Sequence, residues 1–257
     1  SDAVHETHVP AAIEALEKIL DAHVSRRFGG QARVTVRIQV QQLRARLRAF
    51  ARWHVARVAD GWRVLSVEAA TPEEGVPFPV DGRPVGLAAR IDRVDHHPER
   101  DLYAVFDYKT GDAGKSPEKE HRKGRSEKEW KDLQLPLYRW LATRLSDAEG
   151  RPLIPRADDG REPRVELGYI LLPRDLSLVG ASMAEWSEAE VEDGIGRARE
   201  VVRELRAGPA VFDPERKPAF SDDAMEALVG RGVLTDEDDA GGEEAALLQL
   251  AQLHEEG

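Results

Sequence analysis

Two short stretches of this sequence set acidic and basic groups at suggestive intervals: RIDRVD at residues 90–95 and FDYKTG at residues 106–111. In LYAVFDYKTG, residues 102–106 predict a buried β-strand that runs into Asp107-Tyr108-Lys109 and stops at Thr110-Gly111. Strand residues two apart share a face, so Asp107 and Lys109 project together, with Tyr108 on the other side. If VGLAARIDRVD pairs with this strand across the loop HHPER, Asp92 approaches Asp107 across an antiparallel ladder. Two converging carboxylates repel unless a proton or a cation lies between them. Hard oxygen ligands favour Mg²⁺ or Mn²⁺ over zinc, and a lysine beside such a cation can position water or neutralise charge developing on a phosphate. The same spacing also suits two plain strand-end ion pairs, Asp92 with Arg90 or Arg93 and Asp107 with Lys109.

The elements that must hold these residues follow from periodicity. Ile13, Leu16, Ile19, Leu20, Val24 and Phe28 fall at helical spacing before Gly29-Gly30. Residues 33–40 alternate like a strand, whereas Leu43, Leu47, Phe50 and Val55 share a helical face, and most of 33–59 is read as helix. GWRVLSVEAA (61–70) reads as a strand, and the turn-rich EEGVPFPVDGRPVG as a hairpin connection. Beyond the paired strands, a basic loop (112–126) leads to a helix near 127–147, with Trp130, Leu133, Leu137, Trp140 and Leu141 on one stripe. RVELGYILLP (164–173) is a further strand, and 187–208 a helix with Ser187 as N-cap, Glu190 completing a capping box and Gly208 after its end. No internal repeat is present. The order predicts an α/β protein with a mixed central sheet flanked by helices and an N-terminal helical segment. The expected divisions are residues 1–60, that helical segment; 61–210, the core; and 211–257, an acidic tail or appendage.

Bulk properties narrow the function classes. The 257 residues carry a net charge of −11, with 41% hydrophobic and 33% charged residues. Eleven acidic residues and one basic residue fall after position 220, which leaves the first 220 residues at −1. Within that near-neutral body, Lys115–Lys131 holds seven Lys/Arg against four Glu, and Gln41–Arg57 holds five arginines and no acid. Such stretches could grip a phosphate backbone, or could be ordinary solvated helix faces. The absence of cysteine excludes disulfides, zinc–thiolate sites and Cys-ligated iron–sulfur clusters. No apolar run reaches membrane-spanning length and no signal peptide opens the chain, so a cytoplasmic protein is expected. The chain opens Ser1-Asp2-Ala3 without methionine, as expected either of an excised fragment or of a start that carries added residues.

Other motifs fail on inspection. TGDAGKSP has Lys109 where a phosphate-binding P-loop needs glycine, and HETH spaces its histidines three apart rather than four. TDEDDAGGEE places Leu247 where a calcium loop needs glutamate. His96-His97 are expected in an exposed hairpin turn.

Taken in order, VGLAARIDRVD, LYAVFDYKTG and LQLPLYRWL resemble the PD-(D/E)XK nuclease superfamily, specifically its RecB-like exonuclease branch. That branch carries a G-x-x-D-R-[IV]-D strand, a D-[YF]-K-T-G strand and a Q-x-x-x-Y helix; here Ala89 replaces the glycine three before Asp92. The resemblance implies a restriction-endonuclease-like core and a Mg²⁺- or Mn²⁺-dependent deoxyribonuclease. Asp92 and Asp107 would be metal ligands, with the Tyr108 carbonyl a further one and Lys109 the catalytic lysine. Gln134 and Tyr138 match Q-x-x-x-Y and share a helix face. Glu68 matches an acidic position of the core strand, and His5 the metal-binding histidine near the first helix, with His8 next. DNA is the implied substrate, recombination or repair the implied setting, and a helicase, partnered or fused, the implied associate. Relatives' iron–sulfur cluster is ruled out by the missing cysteines. The rival reading is a catalytically silent nuclease-fold module that binds DNA or a helicase, or a regulatory protein whose acidic tail mimics DNA.

Overall fold

In the computed structural model, the described residues are 2–29, 33–111, 113–124, 129–147, 150–156 and 160–208, with side chains from residue 8 onward. The expected acidic tail lies outside them. Residues Ser1–Gly208 form one compact unit. Five strands make its central sheet: β1 (Arg63–Ala70), β4 (Arg90–His97), β5 (Leu102–Lys109), β8 (Arg164–Leu171) and β9 (Gly180–Met183), in the order β1-β4-β5-β8-β9. Neighbours are antiparallel except β5 and β8, which run parallel. A parallel pair needs a crossover, and the chain between residues 110 and 163 supplies it. β5 is hydrogen-bonded on both edges and covered on both faces, which is why residues 102–106 are all buried and read as a continuous apolar run.

The two faces of β5 build two cores. Tyr103 and Val105 pack beneath α4 (Gln134–Ala142) and α5 (Glu188–Ala207), with Leu135, Leu141, Leu167 and Ile195. Ala104 and Phe106 meet Trp62, Ile170 and, from the helix before β1, Leu47, Phe50 and Trp53. Helix α2 (Val34–Ala59) forms a hairpin with α1 (Asp2–Phe28), held by ion pairs from Glu17 to Arg44 and Arg48. The strand-like alternation of residues 33–40 is overridden here: extending an existing helix is far easier than nucleating a new element. A buried triad seals α2 to the sheet. Asp95 accepts from Arg57 Nε and from Arg93 Nε, each at 2.7 Å, while the Arg57 guanidinium lies 3.8 Å from the Trp62 ring centroid.

Several expectations need correction. His96 and His97 belong to β4, and the turn is Pro98–Arg100. His97 is buried, one ring nitrogen 2.8 Å from the Asp60 carbonyl and the other accepting the Arg100 amide. The turn-rich segment forms its own hairpin of β2 (Val76–Phe78) and β3 (Val85–Leu87). The basic loop contains a short helix α3 (Pro117–His121) and part of a small hairpin, β6 (Arg122–Lys123) with β7 (Glu129–Trp130). The helix expected near 127–147 is therefore shorter. Pro136 tolerates only the first helical turn, because its ring and missing N–H exclude helix upstream. Trp130 accordingly leaves the stripe and meets Trp186 edge-on, their centroids 4.9 Å apart.

Candidate active site

The carboxylate end of β5 lies where its ladder with β4 stops. The last paired residues are Arg93 and Phe106, and the same register carried one step further sets Asp92 level with Asp107. There the Asp92 side chain takes over from main-chain pairing, accepting the Tyr108 amide at 2.8 Å. Strand alternation sends Asp107 and Lys109 to the α4 face and the Tyr108 ring to the α2 face, where it meets Phe50 edge-on. The first turn of α4 lies over this strand end. Gln134 Nε2 donates to Asp107 Oδ1 at 2.7 Å and to the Tyr138 hydroxyl at 3.1 Å, while its Oε1 accepts from Lys109 Nζ at 3.3 Å. Tyr138 donates in turn to the Arg90 carbonyl at 2.7 Å, tying α4 to β4. Asp92, Asp107, Lys109, Gln134 and Tyr138 thus form one connected cluster.

Asp107 is the strained member electrostatically. It is 6% exposed. Burial raises its pKa above the ordinary carboxylate value; Lys109 pulls the other way, the Asp92 charge pushes it further up, and the Gln134 hydrogen bond lowers it. Lys109 Nζ lies 2.8 Å from Oδ2, an ion-pair contact, yet no donor is aligned on that buried oxygen for a hydrogen bond. Beyond the Lys109 ion pair, that oxygen keeps acceptor capacity to spare. It has the hard donor chemistry that Mg²⁺ or Mn²⁺ takes from one or two carboxylates, with water completing the shell. The residues present therefore fit such a cation.

Two other candidates stand apart. Glu68 is level with Asp92 along β1, but it is exposed, adopts φ 54° and pairs with Arg90 at 2.8 Å. His5 falls within α1, and its side chain lies outside the described residues. Among the described residues no group of three His, Asp or Glu side chains is gathered as a metal cage. In the basic segment, Lys115 pairs with Glu120, Arg122 with Glu190 and Lys123 with Glu129, so much of its positive charge is spent internally.

Sequence reasoning missed three residues behind the cluster. His121, within the segment read as a basic loop, is fully buried. Its Nδ1 is 3.0 Å from the Asp132 carbonyl and its Nε2 is 2.6 Å from the Tyr169 hydroxyl. Asp132 Oδ1 accepts the first amide of α4, that of Gln134, at 2.7 Å. Tyr169 is level with Asp107 in the parallel register of β5 and β8. No local pattern marks these residues; only the crossover joins them.

With this geometry in place, comparison with known proteins is informative. A model of the PD-(D/E)XK nuclease superfamily matches residues 2–222. No curated protein matches the chain. The mixed five-stranded sheet, flanked by helices and preceded by two more, agrees with a restriction-endonuclease-like fold.

Proposed function

Because the chain belongs to the PD-(D/E)XK nuclease superfamily, we propose that it is a Mg²⁺- or Mn²⁺-dependent deoxyribonuclease of the RecB-like exonuclease branch. It hydrolyses phosphodiester bonds in DNA recombination or repair, alongside or fused to a helicase. The observation that carries the reading is the junction of Asp92, Asp107 and Lys109 at a strand end, with Gln134 touching both of the latter. Asp92 and Asp107 would hold the cation, with the Tyr108 carbonyl beside them. Water, or the His5 and Glu68 that the resemblance names, would take the remaining positions, Glu68 first leaving Arg90. Once bound, the cation supplies positive charge to the attacked phosphoryl group and acidifies water.

The protein's own groups do the rest. Lys109 is partly exposed, so its ammonium can turn from Asp107 toward an incoming phosphate oxygen or orient the attacking water. Gln134 keeps Lys109 and Asp107 in fixed relation, and Tyr138 braces Gln134 against β4. Contacts to the DNA backbone would be sequence-independent and salt-sensitive.

The test is cleavage of single- and double-stranded DNA with Mg²⁺, Mn²⁺ or EDTA, beside Lys109→Ala and Asp107→Ala. Metal-dependent cleavage lost in both variants supports the reading. Degradation of linear but not circular DNA supports the exonuclease. Intact DNA binding without cleavage by the wild type favours the silent module, and cleavage that survives both substitutions refutes the site.

A further inference from the structure

The Lys109 ammonium has a neighbour that neither motif nor strand pattern assigns. Its Nζ lies 4.9 Å from the centroid of the Tyr169 ring, within the range of a cation–π contact, about 6 Å. Asp107 and Lys109 share the α4 face, and Tyr169 stands level with Asp107 on β8. The ring therefore forms a wall beside the lysine, on the side away from Asp92 and β4.

That wall is held from behind. The Asp132 carbonyl can only accept, so His121 Nδ1 carries the proton and Nε2 accepts from the Tyr169 hydroxyl. Burial keeps the imidazole neutral, as this arrangement requires, and keeps the phenol protonated. The His121 ring is wedged edge-on to Trp186 at 5.3 Å. Asp132 then takes the Gln134 amide. One chain of contacts thus runs from Tyr169 through His121 and Asp132 to the residue that holds Asp107 and Lys109.

We infer that Tyr169 is a positioning residue for Lys109: its ring face holds the ammonium beside Asp107, while the hydrogen bond to His121 stabilises the fold behind it. The inference rests on the nuclease reading of Lys109 given above. A merely structural Tyr169 would fill space under α4, and any aromatic ring of its shape would serve equally. A positioning Tyr169 depends on the negative ring face.

Three variants of the full chain separate these roles. Tyr169→Phe keeps the face and loses the hydroxyl, and should retain most of kcat despite a lower melting temperature. A ring-fluorinated phenylalanine at the same position keeps the shape but withdraws the electron density. It should lower kcat about tenfold relative to Tyr169→Phe with KM unchanged, a scale between an exposed and a fully desolvated cation–π contact, as suits the partly exposed Lys109. Tyr169→Leu should fall at least as far. Equal kcat for the fluorinated and plain phenylalanine variants would overturn the inference.

A second readout needs no cleavage at all. In NMR spectra of protein carrying isotope-labelled lysine, the Lys109 side-chain methylene, assigned by its loss in Lys109→Arg, should be shifted upfield by the ring. That shift should persist in Tyr169→Phe and vanish in Tyr169→Leu. A Lys109 signal at the ordinary position in the wild type would refute the contact even if the protein proved not to be a nuclease. A shifted signal with no cleavage would leave the contact standing and sink the nuclease reading instead.

Discussion

Replacing Gln134 by glutamate would turn the donor on Asp107 into a second carboxylate, and the structure sets what that should cost. Gln134 Nε2 is 2.7 Å from Asp107 Oδ1. The Tyr138 hydroxyl proton is already given to the Arg90 carbonyl, so the new carboxylate finds no donor there. Like charges at 4 Å repel by about 4 kcal/mol at an effective dielectric of about 20. The lost charge-assisted hydrogen bond adds about 2 kcal/mol. Pairing of the glutamate with the partly exposed Lys109 offsets about 3 kcal/mol of this, leaving a net deficit of about 3 kcal/mol. For a unit of this size about 2–4 °C of melting temperature accompanies each kcal/mol, so a fall of roughly 6–12 °C is expected. The assay is thermal unfolding near neutral pH in EDTA. Two facing carboxylates bind a proton more tightly folded than unfolded, so the folded pKa is raised and stability falls as pH rises. The deficit should therefore shrink on acidification toward the ordinary carboxylate value of about 4. A divalent cation should shrink it too, since the added carboxylate makes the variant the tighter binder and, at saturating cation, each tenfold gain in affinity over the wild type returns about 1.4 kcal/mol. A deficit below about 1 kcal/mol, or one indifferent to both pH and cation, would falsify the facing geometry of Gln134 and Asp107.

Three further outcomes are expected. Asp95→Asn removes the only carboxylate of the triad it forms with Arg57 and Arg93; stranding two buried guanidiniums should cost about 3–5 kcal/mol in urea unfolding, and a loss below about 1 kcal/mol would mean the triad is not dry. Burial lowers the pKa of His54 and His121, so the folded state binds fewer protons. Their contribution is present above about pH 6.5 and is lost as pH falls toward the lowered values. His121→Gln should flatten that slope in unfolding free energies measured across the window; an unchanged slope would show that His121 does not contribute. Gly194→Ala sets two effects against each other: alanine favours a helix by about 1 kcal/mol, but its Cβ would lie 2.9 Å from Pro136 Cγ and 3.1 Å from the Trp130 ring. Overpacking typically costs about 1–3 kcal/mol, so net destabilisation is expected, and a stabilised variant would disprove the tight contact of α5 with α4.

How much of this was legible beforehand varies with the range of the interaction. Asp107 and Lys109 were assigned to one face correctly, because alternation along a strand is a property of adjacent residues. Gln134 and Tyr138 were expected to share a face, and they do, even though the helix carrying them is shorter than its apolar stripe suggested. The capping box of Ser187 and Glu190 formed as read. His96 and His97 were misplaced because a dipeptide beside Pro98 looks the same as a strand end or as a turn until the partner strand is known. The sequence by itself determined the strands β1, β4, β5 and β8, the capped helix α5, the alternation and the acid–lysine spacing, since each depends on neighbours a few residues apart. Only the tertiary structure decided that Glu68 pairs with Arg90, that Asp95 is locked between two arginines, and that His121 and Tyr169 stand behind Lys109. Apart from Arg93 with Asp95, these contacts join residues far apart in the chain, and their geometry is set by a strand ladder and a crossover rather than by local preference.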